Sequence, residues 1–150
     1  MGFELGTDGP GAIVVGVDGS PTSLRAAAYA AGLARRQHTK LIVVYARTSP
    51  ATLLTLADHS GLATNAVLQT QDELENQLRT ELERQSSVWG VDARLVVRRG
   101  DPFTLLAEVA KETRAEAVVV GSSAGVGHRI TGSLAIRLVK YGRWPVTVVP

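Results

Sequence analysis

Unbroken runs of three or more β-branched residues occur four times in this chain, at Ile13-Val14-Val15, at Ile42-Val43-Val44 within the apolar run Leu41 to Tyr45, at Val118-Val119-Val120 and at Val146-Thr147-Val148-Val149. A strand with one wet face alternates apolar and polar residues. A run without alternation is buried on both faces, which requires a parallel sheet covered by helices on each side. Four strands are therefore expected at Ala12 to Val17, Leu41 to Tyr45, Ala117 to Val120 and Val146 to Val149. A fifth, Ala93 to Arg98, is interleaved with arginines and suits a sheet edge.

Helical patterns separate these runs. Ser20 reads as an N-cap and Pro21 as the first helical residue, with Leu24, Ala27, Ala28, Ala31 and Ala34 expected on the buried face. A second helix is expected over about residues 70 to 87, with Thr70 and Glu73 at capping-box spacing and a stripe of Leu74, Leu78 and Leu82. Asp101 and Pro102 repeat the cap-plus-proline device ahead of Leu105, Leu106, Val109 and Ala110. A last helix is expected from about Ser133 to Tyr141, carrying Leu134, Ile136, Leu138 and Val139 and stopped by Gly142. Residues 48–69 form the one long connection, with a weakly helical stretch over 51–57.

The alternation predicts one α/β domain over residues 12–150, after a disordered leader over residues 1–11: a five-stranded, mainly parallel sheet with helices on both faces. Right-handed crossovers favour the doubly wound order 3-2-1-4-5. In that order strands one and four are neighbours and the chain leaves them in opposite directions, opening a crevice at their C-terminal ends. The chain's 150 residues, 45% hydrophobic with a net charge of +2, suit one globular domain and exclude a highly charged nucleic-acid binder. It has no cysteine, hence no disulfide, thiol nucleophile or thiolate metal site. With no secretory signal and no apolar run near twenty residues, a soluble cytoplasmic protein is expected.

Chemistry is expected beyond strands one and four. After the first comes Asp18-Gly19-Ser20, where a carboxylate either accepts hydrogen bonds from a ribose or an adenine amine, or simply braces the turn. After the fourth comes Gly121-Ser122-Ser123-Ala124-Gly125-Val126-Gly127-His128-Arg129-Ile130-Thr131-Gly132-Ser133. Glycines that permit close approach, His128 and Arg129 as cations, and Gly132-Ser133 at a helix head together suit a phosphate. The alternative is a plain helix start beside a solvated basic face, since Arg129, Arg137, Lys140 and Arg143 face no Asp or Glu after Glu116.

Other motifs fail in this loop. Gly121-Ser122-Ser123-Ala124-Gly125 matches a nucleophile elbow with Ser123 at its centre, yet no acid follows it and His128 is too near for a hydrolase triad. A P-loop lacks its lysine because Ser133 stands there, and a dinucleotide fingerprint fails at Ile130. His38, His59 and His128 are too scattered for a metal site. No nucleophile or general base is placed for catalysis; a nucleotide hydrolase or transferase, or a Ser123-dependent esterase, is the rival reading from another class. The closing strand, Val146, Thr147, Val148 and Val149, would leave an apolar edge that a second copy of the chain could cover, predicting a homodimer; a monomer with an edge blunted by Pro145 and Pro150 is the alternative.

Ile13-Val14-Val15-Gly16-Val17-Asp18-Gly19-Ser20, Gly100-Asp101-Pro102, Val118-Val119-Val120-Gly121-Ser122, Gly132-Ser133 and Pro145-Val146-Thr147-Val148-Val149 together resemble the universal stress protein family, from Ile13 to Val149. The resemblance implies the doubly wound fold, homodimers through the last strand and a role in survival under stress. Many members bind ATP through an aspartate ending strand one and a loop of the form G-x-x-G-x9-G-[ST]. By position this implies Asp18, Gly121, Gly132 and Ser133 as nucleotide contacts, Ala46 as a backbone contact to the base, His128 or Arg129 near the phosphate tail, and Mg²⁺ carried with the ATP. Two departures stand against it. Ala124 occupies the second glycine position, and Gly121 to Gly132 spans eleven positions where the motif needs thirteen, as in the branch of the family that binds no nucleotide. The expectation is a stress-responsive binding or regulatory module with an adenine nucleotide as ligand, or a dimeric scaffold without one.

Overall fold

The computed structural model describes residues 11–48, 61–122 and 133–150. Five strands, β1 (Ala12–Val17), β2 (Lys40–Arg47), β3 (Ala93–Arg99), β4 (Ala115–Gly121) and β5 (Val146–Val149), alternate with four helices among these residues. The helices are α1 (Pro21–Gln37), α2 (Leu62–Trp89), α3 (Pro102–Glu112) and α4 (Ser133–Tyr141). All four strand pairings are parallel and the order is β3-β2-β1-β4-β5, as expected.

The unbroken apolar runs work as two interleaved sets. Ile13, Val15, Val17, Leu41, Val43, Tyr45 and Val119 point to one face, where Ala26, Ala30 and Ala34 of α1 and Leu78 and Leu82 of α2 close over them. Val14, Ile42, Val44, Val118 and Val120 point to the other, against Leu105, Leu106, Val109 and Ala110 of α3 and Ala135 and Leu138 of α4. Each fully buried Val or Leu contributes about 1.5–3 kcal/mol, so this two-sided seal carries most of the apolar stabilisation.

The caps fall where the sequence puts them. Ser20 Oγ accepts from the Ser23 amide and Pro21 opens α1, while Asp101 accepts from the Thr104 amide and Pro102 opens α3. Arg137 of α4 reaches the same Asp101 carboxylate at 3.3 Å and lies 4.3 Å from the Phe103 ring, tying α3 to α4.

Three details differ from expectation. The buried face of α1 runs through Thr22, Ser23, Ala26, Ala30 and Ala34, leaving Leu24 45% exposed; alanines on both sides of the helix leave the pattern without contrast. Helix α2 begins at Leu62, eight residues before the proposed capping box. Its N-cap, Gly61, adopts a left-handed φ of 73° and has no side chain to announce it, while the Thr70 hydroxyl donates back to the Ala66 carbonyl as an interior helical residue does. In α4, Ile136 and Val139 are exposed, and Ala135, not among the expected residues, fills the core beside Leu138.

The first half of α2 lies beside the C-terminal ends of β1 and β2, and Arg47 holds it at Gln71, Asp72 and Glu75. Arg47, the last residue of β2, is only 7% exposed, and its guanidinium meets Asp72 at 2.8 Å, Glu75 at 3.3 Å and Gln71 at 3.4 Å. Gln71 in turn donates to Thr48 at 2.8 Å. A buried cation is tolerated only with such partners, so the clamp fixes α2 in both position and rotation. Replacing Arg47 with Ala removes several charge-assisted hydrogen bonds, one of them to the exposed Asp72, and should cost about 1–3 kcal/mol. Urea denaturation checks this; unchanged stability would show that α2 is held by its apolar stripe alone.

Candidate functional site

The crevice where α1 and α4 leave on opposite faces, after β1 and β4, is entered by the turn after β1. Gly19 has φ 88°, a conformation that favours glycine, and a Cβ there would come within 2.8 Å of Leu74 Cδ2 on α2. The turn therefore places Asp18 directly under the helix. Asp18 Oδ1 accepts from the Ser20 amide at 2.9 Å, and the Asp18 amide donates to Ser23 Oγ at 3.2 Å. Among the described residues Oδ2 takes no hydrogen bond. Burial pushes the Asp18 carboxyl up, but the nearby hydroxyls of Ser20 and Ser23 and the backbone amides of Ser20 and Asp18 together outweigh it and leave the group below the usual carboxylate range. Asp18 thus braces the turn and keeps an ionised oxygen for another partner, so the two roles weighed for it are compatible.

Beside it lies an open cavity of about 460 Å³, lined by Asp18, Tyr45, Ala46 and Thr48 from the sheet side and by Ala66, Val67, Thr70, Gln71 and Leu74 from α2. Volumes of this order take small organic ligands. Its walls divide by chemistry. Tyr45, Val67 and Leu74 form an apolar slot, and Asp18, Thr48, Thr70 and Gln71 supply polar groups at its rim. Burial raises the Tyr45 phenol, against the lowering effect of Arg47, so the ring stays neutral.

Asp18 and Ala46, both expected from the sequence, come together in this cavity. The α2 residues were missed. Their signal was Val67, Thr70, Gln71 and Leu74 at helical spacing, ahead of the Leu74-Leu78-Leu82 stripe; starting the helix at residue 70 cut it off.

Gly121 ends β4, and its environment explains the glycine without any ligand. A Cβ there would sit 2.5 Å from the Thr22 carbonyl carbon and 2.6 Å from the Ser23 amide nitrogen. Beyond it, Ser122 donates its amide to the Val149 carbonyl at 2.7 Å and accepts the Thr22 hydroxyl at 2.6 Å. The first peptide after β4 is therefore spent on joining β4, β5 and α1. Ser133 begins α4 as expected. His128, Arg129 and Gly132, together with Ser123, lie outside the described residues.

Replacing Gly121 with Ala forces a methyl into main chain and should destabilise by roughly 1–3 kcal/mol, about 2–4 °C in Tm per kcal/mol for a chain of this size. Thermal unfolding without added ligand is the measurement. No change would mean that α1 yields and that the glycine answers to something else.

The whole arrangement has known counterparts. The model of the universal stress protein family matches residues 11–150. Universal stress protein MJ0531 of Methanocaldococcus jannaschii is 26% identical over 143 residues, covering 91% of this chain and 80% of that protein. UspA from Lactobacillus plantarum has the same fold, with a TM-score of 0.73 at 19% identity over 94% of this chain and 98% of the other. A universal stress protein solved in complex with cAMP matches with a TM-score of 0.61 at 26% identity, covering 93% and 95% of the two chains. The family model spans the whole described fold: the chain belongs to the universal stress protein family.

Proposed function

We propose that this protein binds an adenine nucleotide, ATP or a related compound, in the cavity between the β1 turn, the end of β2 and α2, and acts in the cytoplasm as a stress-responsive binding or regulatory module. The observation that carries this is the pairing of an ionised Asp18, one oxygen unengaged among the described residues, with an apolar slot beside Ala46. A nucleoside needs both: a flat apolar wall for the base and an acceptor for ribose hydroxyls or the exocyclic amine. The similar fold of a relative crystallised with cAMP supports the reading.

In this reading Asp18 holds the ribose or base and the Ala46 backbone meets the base edge. The phosphates fall to Gly132, Ser133, His128 and Arg129. Gly121 supports them only by position, since Ser122 beyond it is already engaged. No cluster of three His, Asp or Glu side chains suited to a metal occurs among the described residues. Mg²⁺ accompanying ATP would therefore be carried by the phosphates themselves.

Calorimetric titration with ATP and with cAMP tests the proposal. Binding is expected in the parent protein and should weaken at least tenfold in Asp18→Ala, the loss of a hydrogen bond to a charged acceptor. Because the Asp18 carboxyl lies below its ordinary range, the difference in cAMP affinity between the parent protein and Asp18→Ala should stay flat from pH 8 to 5 and shrink only in stronger acid. The turn's own stabilisation follows the same sign: present above the unfolded carboxyl pKa of about 3.9 and lost as pH drops through the lower folded value. No heat with either nucleotide would leave a dimeric scaffold without ligand.

The homodimer is proposed through β5. Backbone bonds from Val118 to the Pro145 carbonyl and from Ser122 to the Val149 carbonyl bracket its pairing with β4, so the main-chain groups of Val146 and Val148 turn outward. Val148 is 37% exposed, and the apolar Ile136 and Val139 of α4 are exposed as well. A second copy would cover these groups. Val148→Lys should reduce the mass seen by light scattering at micromolar concentration from dimer to monomer; a monomeric parent protein removes the proposal.

A further inference from the structure

The opposite edge of the sheet is built differently. Strand β3 has seven residues, and among the described residues β2 is its sole neighbour. Two bonds bracket the β2–β3 ladder: the Leu41 amide to the Asp92 carbonyl at 2.9 Å and the Gly100 amide to the Arg47 carbonyl at 3.0 Å. In a parallel ladder every second residue bonds to a given neighbour, so the even-numbered residues of β3 face β2. The N–H and C=O groups of Ala93, Leu95, Val97 and Arg99 turn outward along an edge that no other described strand pairs with.

Two hollows of about 540 and 480 Å³ run between this strand and α2, continuous through Arg79 and Leu95. Leu82, Ala93, Leu95 and Val97 supply apolar lining. The charge along the strand is positive, with exposed Arg94 and Arg99 and half-buried Arg98. Arg98 is engaged by Glu112 at 2.9 Å, and Arg94 has only a loose 3.7 Å contact with Asp92. On the hollows, Glu75 is already neutralised by Arg47 and Arg79, leaving Glu83 as the other acid.

A second copy of β3 laid antiparallel on this edge would bring Arg94 against Arg98 and Arg99, a destabilising like-charge arrangement. An acidic strand meets the opposite situation, with free main-chain groups to pair and arginines at both ends to neutralise. We infer that the β3 edge is a docking site for an extended, acidic segment of a partner protein, added as a sixth strand. This surface is separate from the nucleotide cavity and from β5, and the inference does not depend on either.

The probe is a synthetic peptide alternating Val or Thr with Glu and Asp, added to the full-length protein labelled with ¹⁵N. The expected result is slowed amide exchange at Ala93, Leu95, Val97 and Arg99 with little change at Arg94, Val96 and Arg98, whose amides already pair with β2. Methylating alternate backbone nitrogens of the peptide should abolish the effect. Arg99→Glu, on an exposed side chain, should weaken binding at least tenfold with an unchanged melting temperature. Four outcomes each overturn the inference: no slowing at millimolar peptide, equal binding of a peptide with lysine in place of the acids, slow exchange at those four amides before peptide is added, or self-association of the protein through β3. Binding of a single-stranded oligonucleotide at these arginines without the alternating amide pattern, in place of the peptide, would likewise overturn it.

Discussion

Strand β1 is enclosed on both faces by helices and on both edges by β2 and β4, and Ile13, Val14 and Val15 have no exposed surface. Such a strand can present nothing along its length. Its neighbours are set by hydrogen-bond register, its two faces by helices that must cross in opposite directions, and its chemistry is pushed to the residues just past its end. Asp18 stands there because the chain emerges from the core at that point and has to turn within one residue, at Gly19.

Polar groups near this exit are shared closely. The head of α1 is satisfied by Ser20, Ser23 and Asp18, and the first peptide after β4 by Thr22 and Val149. What stays open is a slot beside Asp18, and its far wall is α2. Arg47 holds that wall by burying a guanidinium against a row of α2 side chains, so the cavity owes its shape to an ion-pair cluster as much as to apolar packing. The sheet's two edges contrast in the same way. Arginines mark β3, while β5 with α4 shows bare aliphatic surface.

The architecture was legible because the interior strands declare themselves. Unbroken Val and Ile runs have one physical solution, and the Ser20-Pro21 and Asp101-Pro102 devices mark helix starts through side-chain chemistry. Legibility failed where side chains carry no such signal. Gly61 caps α2 through backbone conformation alone, and the alanines of α1 leave its buried face undefined. Asp18 was found from topology, since it follows a strand that ends at the crevice, whereas Ala46 came only from the family resemblance and lies inside β2. Arg47, Tyr45 and Gln71 were not found, because a buried cation's partners lie 24 to 28 positions away on another element, and no local pattern pairs them.

Gly121 belongs to a nucleotide-binding pattern by its place in the sequence, yet a methyl group there would collide with the peptide between Thr22 and Ser23. Any chain that brings β4 this near the first turn of α1 needs a glycine at the position whether or not it holds a phosphate. Half of a signature can thus outlive the activity it advertises, kept by the geometry of two crossing elements. Gly121 by itself therefore says nothing about a phosphate, and the case for a nucleotide rests on the cavity beside Asp18.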